Sequence, residues 1–178
     1  QRLPKETQKE LIQQMGASTV VDPSGSSPLE GKPVEPGDAL VVATSGSTGR
    51  PKGVVLTHES LMANAEATND FLGVDPSADK WLACLPLSHV GGFSVVMRAL
   101  HSGAPLEVHN GFNAEAVMTA GREGATLVSL VPTALQRINS GLFRRVLLGG
   151  SSVPEHRPEN VIATYGMTET GSGIVYNG

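Results

Sequence analysis

The chain has 178 residues, 39% of them hydrophobic and 17% charged, a mixture too apolar and too weakly charged for a disordered tail. Thirteen Lys and Arg against 17 Asp and Glu give a formal net charge of −4. No basic stripe runs along the chain, so the sequence does not read as a nucleic-acid binder, and an anionic ligand would have to be held by local groups.

Cys84 is the only cysteine, which rules out an internal disulfide framework and predicts a reducing, cytoplasmic setting. No apolar run approaches the roughly 18 residues of a membrane span. The opening Gln1-Arg2-Leu3-Pro4-Lys5 lacks the apolar core of a signal peptide. With 21 Gly and 12 Pro, turns and backbone-lined loops should be plentiful.

In chain order, the pattern predicts a helix over Lys5 to Met15, a short strand at Thr19-Val20-Val21 and a Pro/Gly/Ser-rich surface connector from Asp22 to Gly37. Ala39 to Ala43 is a continuous apolar run, as expected of a buried strand. Gly53 to Leu56 follows as a short strand, and Thr57 precedes a helix reaching about Leu72 with Glu59 in its first turn. Strands are predicted at Trp81 to Leu85, Leu106 to Val108, Thr126 to Val131, Arg145 to Leu148, Val161 to Thr164 and Gly173 to Tyr176. Helices are predicted near Gly92 to His101, Ala114 to Glu123 and Thr133 to Ile138. Such alternation implies a layered α/β fold whose largely parallel sheet is flanked by helices.

The segment Thr44-Ser45-Gly46-Ser47-Thr48-Gly49-Arg50-Pro51-Lys52-Gly53 gathers three glycines, four hydroxyls and a lysine behind a strand. Glycines let backbone N–H groups approach phosphate oxygens, hydroxyls add short donors, and Lys52 supplies a mobile positive charge. It is not the Walker loop, because Pro51 precedes the lysine and Gly53 follows it. A solvent-exposed Gly/Ser/Thr linker is the competing reading of this stretch alone.

These ten residues resemble the signature loop of the adenylate-forming superfamily, which includes acyl-CoA and aryl-CoA synthetases, luciferases and peptide-synthetase adenylation domains. Ala163-Thr164-Tyr165-Gly166-Met167-Thr168-Glu169-Thr170 resembles its second signature. The resemblance implies that Tyr165 stacks on adenine, that Thr168 contacts the α-phosphate and that Glu169 holds Mg²⁺. The residue types suit those roles, since a tyrosine ring is flat and apolar and a carboxylate is the hard oxygen Mg²⁺ prefers.

Gly149-Gly150-Ser151-Ser152 resembles the superfamily's glycine pair, at which adenine and the acyl group lie close to backbone. Leu85-Pro86-Leu87-Ser88-His89-Val90-Gly91-Gly92 resembles the element whose histidine lines and gates the acyl tunnel. An ordinary hydrogen-bonded histidine would look the same. Arg98 is a candidate ion-pair partner if the substrate carries a second carboxylate, and otherwise a solvated helix charge. Taken together, Thr44 to Gly49, Lys52, Gly149, Gly150, Ser151, Thr164, Tyr165, Gly166 and Thr168 are the expected nucleotide-binding residues. His89, Arg98, Gly149 and Gly150 are the expected acid-binding residues. Lys52, His89, Thr168 and Glu169 are the expected catalytic ones.

Within the superfamily, the stretch Gly171 to Gly178 and the compact lead-in to the loop look like the o-succinylbenzoate-CoA ligase branch of menaquinone biosynthesis. That implies an AMP-forming ligase that activates a small carboxylic acid, o-succinylbenzoate, with ATP and Mg²⁺ and transfers the acyl group to CoA. The alternatives are another aryl- or acyl-CoA ligase, an adenylation domain serving a carrier protein, and a nucleotide-binding module without complete catalysis. By resemblance, residues 1–178 correspond to part of the large N-terminal AMP-binding domain, without the small C-terminal domain that carries the adenylation lysine. A homodimer is compatible with that resemblance. One departure is the stretch Glu155 to Asn160, too short and with Pro158 too interrupted for the helix other members have there.

Overall fold

The structure is a computed structural model that describes residues 5–44 and 52–177. The chain divides into two compact units, Gln1–His58 and Glu59–Gly178.

In the first unit, helix α1 (Lys5–Gln14) is followed by strands β1 (Thr19–Asp22) and β2 (Gly25–Pro28), which pair antiparallel. Their tight connection is set by Asp22, whose Oδ1 accepts from the Ser24 N–H at 2.7 Å and the Ser24 hydroxyl at 2.5 Å. The expected connector from Asp22 to Gly37 therefore contains a strand. Gly25-Ser26-Ser27-Pro28 is exposed throughout, so no apolar alternation marks it. Strands β3 (Asp38–Thr44) and β4 (Lys52–Thr57) form a second antiparallel pair, in which Thr44 stands opposite Lys52. The run Ala39 to Ala43 is thus a strand as expected, but not a buried one. Only Val42 is buried, and Val41 stays exposed, because the ladder has two strands.

The second unit holds a six-stranded sheet. Helix α2 (His58–Leu72) leads to β5 (Trp81–Ala83), α3 (Val90–Ser102), β6 (Leu106–Val108), α4 (Ala114–Arg122), β7 (Leu127–Leu130), the short α5 (Pro132–Leu135), β8 (Arg145–Leu148), β9 (Val161–Met167) and β10 (Ser172–Asn177). The strand order is β10-β9-β8-β7-β5-β6. Every pair is parallel except β9 with β10. The predicted parallel-rich α/β sheet is present, and residues 155–160 contain no helix, as their shortness and Pro158 implied.

Alternation along the buried strands splits the core in two. Leu82, Cys84, Val128, Leu130, Val146 and Leu148 pack with Val117 and Ala120 of α4. Trp81, Ala83, Leu127, Leu147 and Ile162 pack on the other face with Leu72 of α2 and Val95 and Ala99 of α3. Helices thus cover both faces, which is why these strands read as continuous apolar runs rather than alternating ones. Ser129 interrupts one such run and points to the α3 face, one residue pair beyond Leu127.

Candidate functional site

From β5 the chain crosses to β6 at one edge, whereas from β7 it proceeds through β8 and β9 the other way. Connections leaving the carboxyl ends of β5 and β7 therefore part, and the space between them is where open α/β sheets bind ligands. A cavity of about 150 Å³ opens there, lined by Leu85 and Gly91 after β5, Val131 after β7, Gly149 and Gly150 after β8, Thr164 and Gly166 of β9, and Arg98 of α3.

The glycines keep this cavity open at backbone level. A side chain at Gly149 would bring its Cβ to 2.5 Å from Thr164 Oγ1, and Gly150 has φ +86° with Val131 close by. At Gly166 a Cβ would lie 2.0 Å from the Ser172 carbonyl oxygen, so only glycine lets β10 fold back on β9 at this point. Thr164 donates its hydroxyl to the Leu148 carbonyl at 3.3 Å.

Arg98 dominates the electrostatics. It is 2% exposed, donating from Nη1 to Ser129 Oγ at 3.2 Å and from Nη2 to Ser172 Oγ at 2.9 Å. Ser172 in turn donates to Ser94 Oγ at 3.0 Å. The guanidinium lies 5.7 Å from the centroid of the Trp81 ring, a cation–π distance. Its Nε–H is buried and has no hydrogen-bond partner. Among the described residues the ion pairs are those of Lys80, His109 and Arg144, so Arg98 faces no carboxylate. Burial pulls its pKa down to about 10, against the opposing influence of the Tyr176 hydroxyl, and it remains cationic at neutral pH. A buried cation without a counter-ion is costly, and one lining a cavity is suited to an anionic ligand.

Of the residues picked out by sequence, Arg98, Gly149, Gly150, Thr164 and Gly166 come together around this one cavity. His89 does not line it. It is exposed and precedes α3 with extended backbone, its side chain making no capping bond. Ser151 is exposed beyond the glycine pair. Tyr165 is 61% exposed on β9, leaving a ring face free for stacking, and Thr168 and Glu169 lie in the one-turn 3-10 helix between β9 and β10. Glu169 is exposed.

Among the described residues no group of three or more His, Cys, Asp or Glu side chains gathers as a metal cage. A lone hard carboxylate fits Mg²⁺ that arrives on phosphate oxygens and keeps several waters. In the first unit, Thr44 Oγ1 donates to the Lys52 carbonyl at 3.4 Å and Lys52 is exposed. Ser45, Gly46, Ser47, Thr48 and Gly49 lie outside the described residues.

Sequence reasoning missed Ser129, Ser172 and Trp81. Ser129 had a signal, a hydroxyl inside the buried run Leu127-Val128-Ser129-Leu130, where polar residues need a partner. Trp81 and Ser172 had none, since both fit their strands as ordinary packing residues.

The family model for the AMP-binding enzyme matches residues 2–178. The chain is 35% identical over 153 residues to the 2-succinylbenzoate–CoA ligase of Enterococcus faecalis, covering 77% of this chain and 31% of that protein. It resembles o-succinylbenzoate CoA synthetase from Bacillus subtilis, as a double mutant bound with its product analogue, with a TM-score of 0.73 and 30% identity over 86% of this chain and 35% of that one. The same synthetase in complex with ATP and magnesium ion gives a TM-score of 0.68 and 31% identity, over 84% and 35% of the two chains. The chain spans about a third of the length of the curated relatives it matches.

Proposed function

The chain belongs to the AMP-binding enzyme family, and from that premise we propose that it is the acid- and nucleotide-binding part of an ATP-dependent, AMP-forming acid-CoA ligase acting on o-succinylbenzoate. The observation that carries the substrate assignment is the buried, unpaired Arg98 in the cavity between β5 and β7. An acid with one carboxylate to activate needs no cation at the far end of its pocket. An acid with a second carboxylate does, and a guanidinium offers it a planar fork of donors. Among CoA ligases, this disfavours a simple fatty or benzoic acid. Relatives named for a ligase of this dicarboxylic acid point the same way.

In this reading Arg98 holds the distal carboxylate, with Ser129 and Ser172 fixing the fork and Trp81 supporting it from one side. The proximal carboxylate is directed along the backbone of Gly149 and Gly150 toward ATP, where it attacks the α-phosphorus and releases pyrophosphate. Thr44 to Gly49 and Lys52 neutralise the phosphates. Ser151, Thr164, Gly166 and Thr168 line the nucleotide, Tyr165 stacks on its base, and Glu169 ligates the Mg²⁺ that ATP brings. Such catalysis is positioning and charge stabilisation rather than acid–base chemistry. The CoA thiol then displaces AMP from the acyl-adenylate, with His89 as a gate to the acyl channel and not as a base.

Residues 1–178 belong, on this reading, to the large N-terminal domain, and a homodimer rests on the resemblance alone. A cytoplasmic location is part of the proposal, from the lone, buried Cys84. No helix among the described residues is long and apolar enough to cross a membrane.

Trp81, the only tryptophan, makes the test direct, because its ring lies against the guanidinium. Titrating the intact protein with o-succinylbenzoate should change Trp81 emission saturably, and the ester of the distal carboxylate should bind at least about tenfold more weakly. Arg98→Met should abolish the difference between acid and ester. Equal binding of acid and ester by the unmodified protein would remove the substrate assignment.

A further inference from the structure

The turn that carries Glu169 is closed by its own hydrogen bonds, the Thr170 hydroxyl reaching the Met167 carbonyl at 2.9 Å and the Ser172 carbonyl at 2.8 Å, and it is also tied to α2. Within it, the Thr170 hydroxyl accepts the Met167 N–H at 3.0 Å, and the Gly171 N–H donates to the Thr168 carbonyl at 3.0 Å. Two carbonyls on its β10 side, those of Thr170 at the end of the turn and of Gly173 in β10, are bonded from α2. Asn64 meets both, its Nδ2 donating to Thr170 O at 3.3 Å and to Gly173 O at 2.9 Å. One carboxamide nitrogen has two hydrogens, and here they tie the last residue of the turn and β10 to α2. Four residues on, Thr68 Oγ1 lies 2.7 Å from the Tyr176 hydroxyl, which donates to the same Gly173 carbonyl at 3.0 Å. Asn64 shares the helix stripe of the buried Leu61, Ala65 and Thr68, so its own position is fixed by packing.

We propose that Asn64 is a positioning residue for the Mg²⁺-dependent step, holding the Thr168–Thr170 turn in place and with it the Glu169 carboxylate. The assignment rests on the reading of Glu169 given above. None of the sequence signatures contains Asn64. Its role is not to touch a reactant. A carboxylate on an exposed one-turn helix can ligate a metal at fixed geometry only if the turn is anchored, and α2 is the anchor.

Two readouts test this in the intact protein. In Asn64→Ala, amide exchange of residues 167–173 should accelerate about tenfold, while amides of Val95 to Ala99 in α3 keep their protection. The Mg²⁺ concentration giving half-maximal adenylate formation should rise about tenfold, with the rate at saturating Mg²⁺ within about threefold of the unmodified protein. Asn64→Gln keeps the donors and should recover part of both effects. It also serves if the alanine variant fails to fold.

Unchanged exchange in residues 167–173 would overturn the proposal, and so would equal loss of protection across the whole sheet. Glu169→Gln in the otherwise unmodified protein separates the two claims. If it shifts the Mg²⁺ requirement and Asn64→Ala does not, Asn64 has no positioning role. If Glu169→Gln shifts nothing, the metal reading of Glu169 fails, and the proposal with it.

Discussion

Two arginines serve opposite ends of the same sheet in opposite ways. Arg144 precedes β8 at the amino-terminal edge, where its Nε donates to Asp79 Oδ1 at 2.8 Å and its Nη2 to Asp79 Oδ2 at 2.6 Å. Asp79, 4% exposed, also accepts from the Thr126 hydroxyl at 2.7 Å and the Asp75 N–H at 3.0 Å. Arg144 Nη1 reaches the Leu72 carbonyl at 3.0 Å, tying the end of α2 to β5, β7 and β8. Arg98, at the carboxyl-terminal edge, has serine hydroxyls and an aromatic face but, among the described residues, no acid. Where charge is neutralised within the chain it holds the fold together, and where it is left uncompensated beside a cavity it is available to a ligand.

The largest effect that would test this contrast is on stability. Asp79→Ala removes an acceptor of four hydrogen bonds and leaves the Arg144 guanidinium without its acid, which should cost about 3 kcal/mol in denaturant unfolding. Arg98→Met removes a charge that the folded state had to desolvate, so its stability should stay within about 1 kcal/mol of the unmodified protein. If Arg98→Met proved as damaging as Asp79→Ala, Arg98 would be a structural residue and the contrast would be void.

The same comparison has a pH signature. Burial by itself would raise the Asp79 pKa, but hydrogen bonds from Arg144, the Asp75 N–H and Thr126 outweigh it and hold the carboxyl below its ordinary value. A carboxyl whose folded pKa is depressed contributes stability that is full above its unfolded pKa, about 3.9, and that is lost as pH falls through the folded value. Unfolding followed from pH 6 to pH 2 should therefore show a steeper acid loss in the unmodified protein than in Asp79→Asn. Arg98→Met should follow the unmodified curve, since the guanidinium does not titrate in that window.

This division was only half legible in the sequence. The strands could be read because they are short apolar runs separated by helical periods, whereas their order and register across the sheet are properties of the fold. The β1 and β2 pair was half hidden, because Gly25 to Pro28 has no side chain that prefers a strand or needs burying. Arg98 could be picked out only by asking what a dicarboxylic substrate would require. Nothing in Met97-Arg98-Ala99 distinguishes a buried cation from a solvated one. Nothing in the stretch Asp75 to Lys80 marks Asp79, since its partner lies 65 positions away. Long-range polar pairing is a property of the folded topology, and local pattern does not encode it.

The smallest expected effect comes from a third set of charges, on the edge strand β6. Glu107 lies 2.5 Å from Lys80 Nζ and 2.8 Å from His109 Nε2, with the Lys80 and Glu107 side chains 29% and 28% exposed. The bond from Lys80, followed by that from His109, holds the Glu107 carboxyl below its ordinary value. Water reaches all three groups, so the attraction is screened and the side chains lose entropy in forming it. Glu107→Gln should therefore cost no more than about 1 kcal/mol, and less in high salt. The cluster has a second physical consequence, because charge on an edge strand discourages pairing with another chain. A loss near that of Asp79→Ala would mean that distance alone sets the strength of these pairs. A small loss that shrinks with salt would leave burial as the variable separating Glu107 from Asp79, and the want of an acid as what separates both from Arg98.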